Sequence, residues 1–248
     1  MNNFELISFA SADELASRAA SKWLDEIESA HRAGKTHCVA FSGGRIAQKF
    51  FAATVELAKT RKIGDSGTPS LPANVHFFWA DERCVPPTDP ESNFKLANEL
   101  LFVPLQIART QIHRIRGEDP PQVAVKLAEE ELRGVLSLKS DNPPVLDLVF
   151  LGMGEDGHVA SLFPGENEAA VSDPAIYRAI RNSPKPPPDR ITLGYAAITA
   201  ARQVWVLISG GGKAAALRES VKPDGKTPLT RVVRSRSRTT IFSDIRAD

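Results

Sequence analysis

Val145-Leu146-Asp147-Leu148-Val149-Phe150-Leu151 runs without a break into Gly152-Met153-Gly154-Glu155-Asp156-Gly157-His158. The apolar run has the character of a central strand of a parallel sheet, covered on both faces. In open α/β sheets, ligands lie beyond the carboxyl ends of such strands. The glycines therefore begin where a site is expected. Gly152, Gly154 and Gly157 match the spacing of a dinucleotide fingerprint, but the context does not. The segment is mid-chain, Pro164-Gly165 soon interrupts the helix that should follow, and Glu155-Asp156 would repel a pyrophosphate. What remains is a glycine loop that presents Asp156 and His158. Histidine titrates near neutral pH and can take a proton from water, and a neighbouring carboxylate can orient its ring. Zinc is not expected, because no second His or Cys stands at ligand spacing.

Outward from this strand, apolar runs alternate with helical patterns. Ser11-Ala12-Asp13-Glu14 has the form of a capping box. Leu15, Ala19, Trp23 and Ile27 then recur on one helical face, and Gly34 ends the helix. Strands are predicted over 36–41, 75–79, 204–208 and 239–242. Further helices are predicted over 45–59, from Pro120-Pro121 to about Leu138, and after Lys213. Residues 61–74, and 182–190 with their four prolines, read as loops. This alternation predicts a single α/β domain over 1–248, with a mostly parallel sheet and helices on both faces.

Four polar or glycine-rich segments fall at strand ends, after Phe41, Trp79, Leu151 and Ile208, and converge on one crevice if the sheet is doubly wound. In Ser42-Gly43-Gly44-Arg45 the glycines admit a ligand to the backbone, the next helix offers free N–H groups, and Arg45 adds charge. A serine nucleophile at Ser42 is the rival reading, although Ala40 replaces the first glycine of the G-x-S-x-G elbow. In Asp81-Glu82-Arg83, Arg83 can grip an anion and Asp81 a hydroxyl, and Asn93 lies shortly downstream. Ser209-Gly210-Gly211-Gly212-Lys213 resembles a P-loop fragment with Ala214 in place of the required hydroxyl residue. It reads as a glycine loop whose Lys213 reaches a phosphate.

The 31 basic and 30 acidic side chains nearly cancel, so no bulk field recruits nucleic acid or an anionic membrane. Arg231, Arg234, Arg236 and Arg238 read as the solvated side of a loop or edge strand. The N-terminus lacks the form of a signal peptide, and no apolar run approaches a membrane span. Cys38 and Cys84 read as buried free thiols in a reducing cytosol. A cytoplasmic enzyme is expected.

Leu151 to Gly165 resembles the signature of the 6-phosphogluconolactonase family. The resemblance extends in order to Ser42-Gly43-Gly44-Arg45, Asp81-Glu82-Arg83-Cys84-Val85-Pro86, Asp189-Arg190-Ile191-Thr192-Leu193 and Gly212-Lys213-Ala214. It implies a Rossmann-like fold shared with glucosamine-6-phosphate deaminases. It also implies hydrolysis of 6-phospho-glucono-1,5-lactone without cofactor or metal. His158 would be the base and Asp156 its orienting partner. Ser42, Gly43, Gly44, Arg45, Asp81, Arg83, Asn93, Gly154, Arg190 and Lys213 would bind substrate. The expected partner is a small sugar-phosphate lactone, and a monomer or weak homodimer is expected. Deaminases carry a glutamate where this chain has Phe163, which disfavours that activity. Arg45-Ile46-Ala47 departs from the Thr-Pro or Ser-Thr-Pro that many members have after the double glycine, which removes one hydroxyl ligand.

Overall fold

The computed structural model describes residues 3–61, 70–136 and 144–245. Part of the loop expected over 61–74, and the end of the helix expected to reach Leu138, lie outside them.

Strand β1 (Phe4–Ser8) precedes helix α1 (Ala12–Arg32). Ser11 caps that helix by accepting the Glu14 N–H at 3.2 Å, while the Glu14 carboxylate accepts from Ala10 instead of closing the box on Ser11. Leu15, Ala19, Trp23 and Ile27 are fully buried, as their spacing implies. Strand β2 (His37–Phe41), helix α2 (Arg45–Arg61) and strand β3 (Val75–Trp79) follow. After one further residue comes β4 (Asp81–Arg83). Helix α3 (Asn93–Ala97) continues into a π-helical turn at Asn98–Phe102, and α4 (Pro121–Val135) leads to β5 (Leu148–Gly152). The chain then forms α5 (Glu168–Val171), β6 (Tyr177–Ile180), β7 (Arg190–Leu193), α6 (Tyr195–Ala200) and β8 (Gln203–Ile208). A 3-10 turn at Gly211–Lys213, α7 (Ala214–Ser220), α8 (Pro228–Arg234) and β9 (Thr239–Ser243) complete the fold.

Six strands form a parallel sheet in the order β1-β9-β8-β5-β2-β3, with helices around it. Winding reverses at β2, which pairs with β3 on one side and β5 on the other, and ligands collect at such a switch point. Strand β5 starts later than the apolar run does, because Asp147 is a clamp. Its carboxylate accepts the Cys38 N–H at 2.8 Å and meets Arg202 at 3.1 Å. The core centres on Trp23, whose ring lies 5.5–6.4 Å from those of Phe41, Phe50, Phe77 and Phe150. Its indole N–H donates to His37 Nε2 at 3.2 Å, which satisfies the one polar atom of the side chain. Both cysteines are free, Cys38 buried and Cys84 only half-buried. Burial pushes their thiols up to about 12 and about 11.

Three features differ from expectation. Asp81-Glu82-Arg83, expected only as a polar segment at a strand end, is itself strand β4, which joins β6 and β7 in a second, antiparallel sheet of order β4-β7-β6. The short, charged sequence hides this strand. Second, the proline loop ends at Asp189, because Arg190 opens β7. Third, the late arginines are not a solvated strand face. Arg231 and Arg234 belong to α8, and Arg236 is buried, donating to the carbonyls of Ile198, Thr199, Ala201, Arg202 and Arg238. Arg234 and Arg238 are exposed, as the solvated reading has it, and Arg238 pairs with Glu5. Among the described residues no helix is long and apolar enough to cross a membrane.

Candidate active site

The four strand-end segments meet in one open cleft at the switch point. Ser42, Gly43, Gly44, Arg45, Asp81, Arg83, Asn93, Gly154, His158, Arg190 and Lys213 all line it, joined by Ile46, Gly152, Met153 and Ala160. Of the expected site residues, only Asp156 does not.

The histidine loop is closed on itself. Gly154 N–H donates to His158 O at 2.9 Å and Gly157 N–H to Gly154 O at 3.0 Å. A Cβ at Gly154 would overlap both the His158 ring and the Asp156 carboxylate, so only glycine lets the two groups fold over this position. His158 Nδ1 lies 2.5 Å from Asp156 Oδ1, and Asp156 Oδ1 also accepts the His158 N–H at 3.2 Å. The Phe163 ring covers the imidazole at 4.8 Å between centroids. Burial lowers the pKa of His158 below its ordinary value, and it outweighs the pull of Asp156 in the other direction. For Asp156, burial raises the carboxyl, but the hydrogen bonds and charge of His158, with Lys185, bring it below the usual range.

Opposite stand two glycine segments. A Cβ at Gly43 would overlap the Asn93 side-chain amide, so the backbone there can approach only as glycine. Beyond it, the amino end of α2 borders the cleft through Gly44, Arg45 and Ile46, where the helix dipole favours an anion. The 209–213 loop is pinned by Asp244, whose carboxylate accepts from Ser209 Oγ at 2.6 Å and from Gly210 N–H at 3.0 Å. Burial, then the charge of Arg45, lowers the pKa of Lys213 below the usual lysine range. An anion between these two cations would relieve both effects.

Strand β4 supplies the remaining wall. Asp81 is buried; its Oδ2 accepts from Ser161 Oγ at 2.8 Å, and its backbone carbonyl accepts from Asn93 Nδ2 at 2.9 Å. Glu82 caps α3 from outside, accepting the N–H groups of Arg83, Asn93 and Phe94 and the Ser92 hydroxyl. Burial still pushes its carboxyl up to about 7. Arg83 reaches the cleft with one terminal nitrogen already on Glu91. Arg190 is likewise committed in part, donating to the carbonyls of Lys185, Pro186 and Pro187. The Ser42 hydroxyl is buried with no hydrogen-bond partner among the described residues, so no base activates it as a nucleophile there.

Four contributors escaped sequence reasoning: Ser161, which holds Asp81; Thr192, which accepts the Ser161 N–H; Glu82; and Lys185. The first three lie inside recognisable motifs. Lys185 had only the signal of a lone cation in a proline-stiffened loop.

A family model described as glucosamine-6-phosphate isomerases/6-phosphogluconolactonase matches residues 10–242. A 6-phosphogluconolactonase of Mycobacterium tuberculosis is 39% identical over 153 residues, covering 60% of this chain and 62% of the relative. The chain thus spans about three fifths of the length of the first curated relatives it matches. Its Mycobacterium leprae counterpart is 33% identical over 214 residues, or 84% of this chain and 82% of the relative. The crystal structure of a 6-phosphogluconolactonase from Thermotoga maritima superposes with a TM-score of 0.76 at 28% identity, covering 97% and 98% of the two chains. With a family match that runs from before α1 to the last strand, and a sheet whose switch-point cleft gathers the motif residues, the chain belongs to the glucosamine-6-phosphate isomerase/6-phosphogluconolactonase family.

Proposed function

We propose that the protein is a 6-phosphogluconolactonase. It hydrolyses 6-phospho-D-glucono-1,5-lactone to 6-phospho-D-gluconate, the second step of the oxidative pentose phosphate pathway. The observation that carries this reading is the pairing of Asp156 with His158 on one side of a cleft whose other walls bear Arg45, Arg83, Arg190 and Lys213. The cations hold the phosphate, and its fixed position sets the lactone carbonyl beside the histidine.

With Nδ1 turned to Asp156, His158 presents Nε2 as the base. It takes a proton from water as the water oxygen bonds to the lactone carbonyl carbon. Glycine-loop N–H groups or a nearby cation stabilise the tetrahedral oxyanion. Collapse breaks the bond to the ring oxygen, which leaves with the proton that the imidazolium returns. The product is an open-chain acid. General-base help of this kind is worth about 10²–10⁴-fold.

The test of the base is a His158→Ala variant with an intact fold. The expected result is a fall in kcat within that range. A kcat near the parent's would overturn the assignment. Trapping of an acyl-enzyme on Ser42 would replace direct hydrolysis by covalent catalysis.

A further inference from the structure

We infer that Lys185 is a positioning residue for this reaction: from the proline loop it holds Asp156 ionised and fixes His158 as a neutral base with Nε2 free. The inference deepens the proposed lactonase chemistry and rests on it.

Three groups share one carboxylate oxygen. Asp156 Oδ1 is 2.5 Å from His158 Nδ1 and 3.7 Å from Lys185 Nζ, and Lys185 Nζ is 3.5 Å from the same ring nitrogen. An ammonium can only donate and an ionised carboxylate can only accept. Nδ1 therefore carries a proton, since two lone pairs facing each other at 2.5 Å would repel. Oδ1 then accepts the imidazole N–H, and the ammonium stands beside it as an ion pair. This arrangement leaves the lone pair on Nε2.

Charge works in the same direction. Alone, Asp156 and the carboxylate of Asp81 on β4 would favour an imidazolium and hold the base protonated. The Lys185 ammonium beside Nδ1 opposes this, as does burial beneath Phe163. The balance gives a base that accepts a proton in the transition state and releases it to the leaving ring oxygen.

The loop that carries Lys185 is built to hold it still. Arg190 donates to the carbonyls of Lys185 and Pro186 at 3.0 Å and of Pro187 at 3.1 Å. Ser183 Oγ donates to the Lys185 carbonyl at 2.6 Å and accepts the Lys185 N–H at 3.2 Å. With its backbone fixed, the lysine loses only side-chain freedom when it reaches Asp156. Lys185 does not line the cleft, whereas Arg45, Arg83, Arg190 and Lys213 do, which separates it from the phosphate grip.

The test compares Lys185→Met and Lys185→Arg with the parent by two readouts, the His158 ring pKa from NMR titration and the acid limb of kcat/KM. In Lys185→Met both should rise together, and kcat/KM on the acid side should fall about tenfold per unit of rise. KM for the phosphorylated lactone should hold, and Lys185→Arg should keep the parental values. An unchanged ring pKa overturns the inference and leaves the His158 base reading intact; if KM rises as well, Lys185 is a phosphate ligand. A raised ring pKa with an unmoved kinetic limb overturns the reaction role together with His158 as base.

Discussion

The Ser161 hydroxyl donates to Asp81 Oδ2 at 2.8 Å, and this bond ties the end of the histidine loop to the second sheet across 80 residues of sequence. Both partners are buried, and the Ser161 N–H is held in turn by Thr192 on β7. The two walls of the cleft are thus joined at one carboxylate. Removing the hydroxyl takes from the buried Asp81 carboxylate the donor to Oδ2. Ser161→Ala should lose about 1–3 kcal/mol of stability by thermal or urea denaturation. KM should rise as the wall at Asp81 and Asn93 loosens. A variant as stable as the parent would mean that water replaces the bond.

Burial holds His158 below the ordinary histidine value. The base is active when neutral, so a lowered pKa keeps it active through the usual histidine range and costs activity only further down. The acid limb of kcat/KM should accordingly lie below about pH 6.5, the unperturbed value. The same depression means that folding disfavours the charged ring, so His158 weakens the fold as pH drops through and beneath that value. A limb at or above the unperturbed value would show that Asp156, not burial, dominates the ring.

Asp156→Asn separates orientation from charge. An amide can turn its NH2 toward Nδ1, which puts the proton on Nε2 and blocks the base. It also loses the charge that stabilises the imidazolium. A fall in kcat on the order of 10²-fold or more is expected with little change in KM, measured by initial rates. A small effect would reassign Asp156 to a merely structural role.

Strand alternation, the buried face of α1 and the convergence of four strand ends were legible because each rests on local patterning of apolar residues and glycines. The second sheet was not. Its strand β4 is three charged or polar residues long, and it is stable because Asp81 and Glu82 find partners in Ser161, Asn93 and Phe94 that no local pattern shows. Lys185 was hidden for the same reason, since its partners lie on another loop. Arg236 misled outright. Alternating Arg and Ser look solvated, yet this arginine fills the carboxyl end of α6, where four carbonyls from Ile198 to Arg202 converge on it.

Arg236 therefore carries its own prediction. Arg236→Met should lose about 3 kcal/mol or more, because several carbonyls give up a charged donor at once. Activity per folded molecule should stay near the parent's, since the residue is outside the cleft. Chemical denaturation followed by assay of the folded fraction checks both statements.

Arg190→Lys should act on the proline loop. A lysine cannot reproduce the fork that spans the carbonyls of Lys185, Pro186 and Pro187. Limited proteolysis within 181–189 should become faster, and KM should rise. Unchanged cleavage would show that the prolines alone hold the loop.

The most direct measurement adds the protein to freshly generated 6-phosphogluconolactone and follows acid release against the spontaneous background. The predicted result is acceleration in proportion to enzyme, lost in His158→Ala. No acceleration, with release of ammonia from glucosamine 6-phosphate instead, would contradict the lactonase reading.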